Sequence, residues 1–83
     1  MNASRLEQRI LKVLAQGGVL LVERDQRKTL VAVEVLTRDG WFVPDITPAL
    51  FLSLRAKRLI SSREPGRYRI SRAGLLLLQR LRR

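Results

Sequence analysis

Leu6, Ile10, Val13 and Leu14 recur at helical spacing behind Ser4, and Ser4 with Glu7 three residues later reads as a capping box. A first helix is therefore predicted to about Gln16, closed by Gly17-Gly18, because a glycine just past the last periodic residue caps orphan carbonyls. The period then changes. Val19 to Arg24 and Leu30 to Leu36 are runs rich in β-branched and aliphatic residues, joined by the polar Asp25-Gln26-Arg27-Lys28, as in an antiparallel hairpin. Asp39-Gly40 is the pair preferred in a two-residue type I′ turn, and Trp41-Phe42-Val43 supplies apolar residues to pair back before Pro44 stops the ladder. A three-stranded meander across residues 19–43 is the expectation.

Thr47 followed by Pro48 marks a second helix start, with Leu50, Phe51, Leu54 and Ala56 on its apolar side, and that helix should reach about Arg58. Ser53, Arg55, Lys57 and Arg58 would be its exposed members. Leu59 to Ser62 and Arg67 to Ile70 flank Glu64-Pro65-Gly66-Arg67, where proline and then glycine specify a type II turn and so a second hairpin. Ser71 can cap a last helix in which Leu75, Leu76, Leu77, Leu78 and Leu81 cover most of the circumference. Such a helix has to be buried on more than one side, and a homodimer through this C-terminal helix would do it. The reading is one α+β domain over residues 1–83, in the order α-β-β-β-α-β-β-α, with a winged-helix-like C-terminal half over about 47–82.

Composition narrows the chemistry. Apolar residues make up 46% of the 83 and charged residues 29%, enough aliphatic surface to offset ordering entropy, so a folded protein is expected. There is no cysteine and no histidine, which removes disulfides, thiolates, imidazole bases and the usual zinc ligands together. A reducing, cytoplasmic setting fits, and no cofactor is expected. No apolar run approaches the ~20 residues needed to span a bilayer. The serines have no histidine to activate them and the acids are scattered without metal-ligand spacing, so an enzyme is not expected.

Charge is the strongest signal. Of 17 bases and 7 acids, ten bases and only Glu64 lie from Ile46 onward. Arg55, Lys57, Arg58, Arg63, Arg67, Arg69 and Arg72 form the densest stretch, and such a bias of sign favours a polyanion or an acidic protein surface. Arg5, Arg9 and Lys12 fall within about 60° of one another on the first helix and make a smaller basic stripe. Tyr68 is the sole aromatic within the 55–72 region, so a base-stacking surface is poorly supported.

Short pieces along the whole chain are similar to the YjhX-like family, small toxins of bacterial toxin–antitoxin pairs described as DNA topoisomerase I inhibitors. They are Met1-Asn2 with Ser4-Arg5, Glu7-Gln8-Arg9, Val13-Leu14-Ala15 and Gly17-Gly18, then Arg24-Asp25, Val33-Glu34, Arg38 with Gly40, Phe51, Leu54, Lys57, Leu59-Ile60-Ser61, Tyr68-Arg69-Ile70 and Gly74-Leu75. Where the family pattern has cysteines, near Val35 and Ile46, this chain has aliphatics, which marks those positions as small apolar core sites. The resemblance implies the role of an inhibitor of topoisomerase I, and the charge asymmetry adds the basic 47–72 surface as the means by which a non-enzymatic inhibitor would bind that enzyme or its complex with DNA. As a toxin it would also have a dedicated antitoxin, one offering negative charge to cover that same face. The competing reading is a DNA-binding regulator, with the hairpin on the phosphates of the duplex backbone and helix 47–58 in a groove.

Overall fold

The computed structural model describes residues 3–82; Met1, Asn2 and Arg83 lie outside the described residues. Its first element is set by the capping box. The Ser4 hydroxyl accepts from the Glu7 N–H at 3.1 Å and a Glu7 carboxylate oxygen accepts from the Ser4 N–H at 2.9 Å, satisfying two orphan donors at the start of α1 (Arg5–Ala15). Gly17 and Gly18 donate back to Leu14 and Val13 at 3.2 and 3.0 Å, the paired bonds of a Schellman cap.

The chain continues as β1 (Val19–Arg24) and β2 (Leu30–Leu36), then α2 (Pro48–Ala56), β3 (Ile60–Glu64), β4 (Arg67–Ile70) and α3 (Arg72–Leu81). Asp25 closes the first hairpin as a turn residue, its carboxylate accepting from the N–H groups of Arg27 and Thr29. Thr47 caps α2 and Ser71 caps α3, as their spacing predicts.

The expected third strand of the meander is reduced to a single bridge, Leu36 to Phe42. Its turn is not type I′, which needs positive φ at both central residues. Gly40 has φ 90° and Asp39 is not in that region, while Gly40 N–H bonds Thr37 C=O at 2.9 Å and Thr37 N–H bonds Trp41 C=O at 2.8 Å. This is a three-residue loop ending in a left-handed residue, and it uses up part of the pairing length. Only Val43, bonded to Val35 at 2.8 Å, follows before Pro44 removes the next donor and Asp45 turns away at φ 64°.

The two hairpins join in one antiparallel sheet of order β2-β1-β4-β3. Leu20 faces Tyr68 and Leu21 faces Arg67 across the new seam, and Val22 N–H bonds Gly66 C=O at 2.8 Å. The β3–β4 hairpin is thus not a free-standing wing: β4 is an interior strand and β3 forms the edge. Because side chains alternate, Leu20, Val33, Val35, Ile60, Tyr68 and Ile70 share the face that packs on Ile10, Leu11, Leu14, Phe51, Leu54, Leu59, Leu77 and Leu78. Val35 is fully buried and Ile46 packs against this core, the role expected of both. Tyr68 meets Phe51 edge to face with centroids 4.9 Å apart, so it belongs to the core and is no stacking platform.

In α3, Leu77 and Leu78 are buried, while Leu75, Leu76 and Leu81 are 42, 50 and 48% exposed. One side of the leucine run is packed and the rest is uncovered in the single chain. The start of this helix is held very close to the sheet. A Cβ added at Gly74 would meet the Leu59 carbonyl oxygen at 2.5 Å and an Ile70 side-chain carbon at 2.7 Å, and a backbone oxygen has no room to yield. Gly74→Ala should therefore destabilise the protein by about 1–3 kcal/mol in urea denaturation, the usual cost of overpacking.

Candidate functional site

Glu7 lies at the first turn of α1, on the side that faces α2, and is only 3% exposed. A buried carboxylate is costly unless paired and hydrogen-bonded. Here one oxygen accepts from Lys57 Nζ at 2.8 Å and from the Ser4 N–H, and the other accepts from Ser53 Oγ at 2.9 Å. Burial alone would raise its pKa; the hydrogen bonds from Lys57, Ser4 and Ser53 outweigh that and hold it at about 2, below its ordinary 4.5. The spacing of Ser53 and Lys57 is four residues, one turn of α2, so both reach the same carboxylate.

This contact corrects the reading of α2. Ser53 and Lys57 are half-buried and turned inward, so Lys57, expected on a partner-facing surface, instead neutralises Glu7. Arg55 and Arg58 are exposed as expected. Arg58 follows the C-cap of α2 with φ 58°, the position where glycine is usual. It is fixed there by its own N–H on Arg55 C=O, by Leu59 N–H on Leu54 C=O, and by Ser71 Oγ donating to its carbonyl at 2.7 Å.

Ser71 therefore joins the end of α2 to the start of α3, and this junction brings four arginines together. Arg63, Arg67, Arg69 and Arg72, with Ser61 and Glu64, line an open groove of about 340 Å³ between the β3–β4 hairpin and the first turn of α3. Arg67 and Arg69 alternate with the core residues Tyr68 and Ile70, which puts them on the outer face. Ser62 faces Tyr68 and Glu64 faces Arg67, leaving Arg63 as the unpaired residue of a bulge, a device that re-aims a side chain.

The four are not equivalent. Arg69 gives Nη1 to the carbonyls of Gly17 and Gly18, both at 3.0 Å, and so ties β4 to the loop between α1 and β1, close to the C-terminal end of α1 where the helix dipole favours a cation. Arg69 is exposed and lines the groove as expected of a binding residue, with its guanidinium held at this end by those two carbonyls. Arg67 approaches Glu64 at 3.9 Å across the turn, an exposed pair of little strength. Among the described residues no ion pair involves Arg63 or Arg72, and no acid from the meander pairs with any of the four. Arg5 and Arg9 are exposed on α1 and do not line this groove. The predicted basic segment is thus divided: a groove that can accept anionic oxygens through guanidinium forks, Arg55 and Arg58 outside it, and Lys57 removed from it.

The sequence pattern shows Glu7 only as a helix cap. Its second role depends on a contact across 50 positions, and the four-residue spacing of Ser53 and Lys57 is the one local sign that two polar residues of α2 share a partner.

These features define a small α+β domain with an arginine-lined groove beside its β3–β4 hairpin. A family model described as "Putative toxin of bacterial toxin-antitoxin pair" matches residues 1–82, and the chain belongs to that family, the YjhX toxins. Membership implies a cognate antitoxin as a partner. The UPF0386 protein of Caulobacter vibrioides is 49% identical over 79 residues, covering 95% of this chain and 87% of its own length. That of Chelativorans sp. is 46% identical over 79 residues, covering 95% and 93%, and that of Cereibacter sphaeroides is 51% identical over 76 residues, covering 92% and 87%. No solved structure matches the chain.

The pH dependence of stability should report Glu7 directly. Its carboxyl is depressed in the fold, so the stability it contributes is complete above about 4.5 and is lost as pH falls through about 2. The loss should be about 3 kcal/mol, at 1.36 kcal/mol per pKa unit. Measured by urea denaturation, the stability difference between wild type and Glu7→Gln should shrink over that window, and Lys57→Met should cost about 2–3 kcal/mol at pH 7 by leaving the carboxylate underpaired.

Proposed function

We propose that this chain is a toxin that inhibits DNA topoisomerase I without catalysing a reaction, using the arginine-lined groove and the adjacent Arg55 and Arg58 to engage the enzyme or the DNA held in it. The observation that carries this reading is the convergence of Arg63, Arg67 and Arg72 on one groove, with Arg69 fixed at its end. Guanidinium groups stay charged and cannot take up a proton, so they suit binding and not general-base work. Their planar forks match the oxygens of a phosphodiester or a carboxylate, the two anionic groups that a topoisomerase–DNA complex presents. Choice of topoisomerase I as the target rests on the resemblance to a family described as its inhibitors. Acting on DNA topology would put the protein in the cytoplasm.

The geometry of Arg58 adds support. A left-handed conformation costs an L-residue roughly 1–2 kcal/mol that glycine would not incur, and residues held in such positions tend to cluster at functional sites. With Arg58 at the end of α2 and Arg72 at the start of α3, joined through Ser71, a rigid corner presents the charge.

A plasmid-relaxation assay with topoisomerase I, at protein levels too low to coat the DNA, tests the proposal. Wild type should block relaxation and leave gyrase supercoiling unaffected. Arg63→Ala with Arg72→Ala should weaken inhibition about tenfold or more, since a charge-assisted hydrogen bond contributes roughly 1.5–3 kcal/mol. Arg27→Ala with Arg80→Ala, exposed and outside the groove, removes the same charge and should inhibit like wild type. Uninhibited relaxation, equal slowing of gyrase, or equal loss in both double variants would refute the reading.

A further inference from the structure

A second groove lies between α1 and α3, away from the arginines. It has a volume of about 340 Å³, with Leu75, Leu78 and Leu81 of α3 and Ala15 of α1 forming an apolar floor, and Lys12 and Arg82 among the polar residues around it. Leu75 and Leu81 are 42 and 48% exposed there, at the uncovered side of the leucine run. No Asp or Glu lines the groove, and among the described residues neither Lys12 nor Arg82 has an ion-pair partner. By helical spacing Arg5 and Arg9 lie on the same stripe of α1 as Lys12, so positive charge continues along this wall.

We infer that this groove is the docking site for an acidic amphipathic helix of a partner protein, and that a cognate antitoxin holds the toxin by this surface. The walls set the shape of the occupant. Both are helices whose backbone groups are already bonded internally, so a strand laid between them would find no ladder to join, whereas a helix completes a three-helix packing. With 11 residues in α1 and 10 in α3, each wall is about 15 Å long at 1.5 Å per residue. That length accommodates about three turns, with apolar residues at i, i+3 or i+4, and i+7 meeting Leu75, Leu78 and Leu81.

Charge decides between possible occupants. A second copy of this chain would bring its own Lys12 and Arg82 to the same rim, and a net charge of +10 onto another of +10. Like charges juxtaposed at an interface suppress association. A helix carrying Glu or Asp beside its apolar stripe meets both the floor and the rim. The inference does not depend on which enzyme the toxin acts on, and it is tested without topoisomerase.

The test is an NMR titration of the full ¹⁵N-labelled chain with three synthetic peptides of about 14 residues, roughly 20 Å as helix. One has leucines at i, i+3 or i+4, and i+7 with glutamates elsewhere; the second is a scramble of the first; the third replaces glutamate by lysine. The first should shift Lys12, Ala15, Leu75 and Leu81 and bind at least tenfold more tightly than either control. Leu75→Glu should reduce that affinity at least tenfold without lowering the melting temperature, and Leu81→Glu, in the last turn of α3, serves should the former fail to fold. Equal binding of the ordered and scrambled acidic peptides, shifts confined to Arg63, Arg67, Arg69 and Arg72, or no binding would overturn the inference. So would self-association in ultracentrifugation that Leu75→Glu abolishes, because a second copy would then be the occupant.

Discussion

The buried carboxylate of Glu7 is the contact on which the arrangement of the helices turns. It completes the N-terminal cap of α1 through Ser4 and at the same time receives Ser53 and Lys57 from α2. Replacing such a pair with well-packed apolar residues need not lower stability, but an apolar substitute could slide, whereas two directed donors from α2, Ser53 and Lys57, fix its rotation against α1. The last turn of α2 leads through Arg58 and Leu59 into β3, and Ser71 binds the Arg58 and Leu59 carbonyls as it starts α3.

A consequence is that counting bases overstates the charge available to a partner. Lys57 is committed to Glu7 and Arg69 to the carbonyls of Gly17 and Gly18. What remains is a smaller and better defined set: Arg63 and Arg72 without ion pairs, Arg67 beside Glu64, and Arg55 and Arg58 near the α2–α3 corner. Arg69 is tied to two loop carbonyls while its strand neighbour Arg67 makes only an exposed contact with Glu64, and strand alternation puts both on the outer face.

Local signals were the legible part of the fold. The capping box at Ser4 and Glu7, the caps at Thr47 and Ser71, the Asp25 turn and the Pro65-Gly66 turn depend on residues a few positions apart, and each is found as spacing predicts. The third strand was overestimated because Asp39-Gly40 fits two turn types, and the choice depends on how much strand is left before Pro44. The pairing of β1 with β4 was not legible, since Leu20 and Tyr68 are distant in sequence and neither hairpin alone announces an open edge. At the site, composition located the arginine-rich segment, and alternation along β4 put Arg67 and Arg69 together. The inward turn of Lys57 and the bonds of Arg69 to Gly17 and Gly18 required long-range partners that no local pattern names.

The central claim, that a deeply buried and fully paired carboxylate organises the helices, is tested most directly by following the side-chain carboxyl carbon of Glu7 by NMR through an acid titration. The midpoint should fall at about 2, with the Lys57 and Ser53 resonances moving in step. A midpoint near the ordinary 4.5, or one to which Lys57 is indifferent, would contradict it.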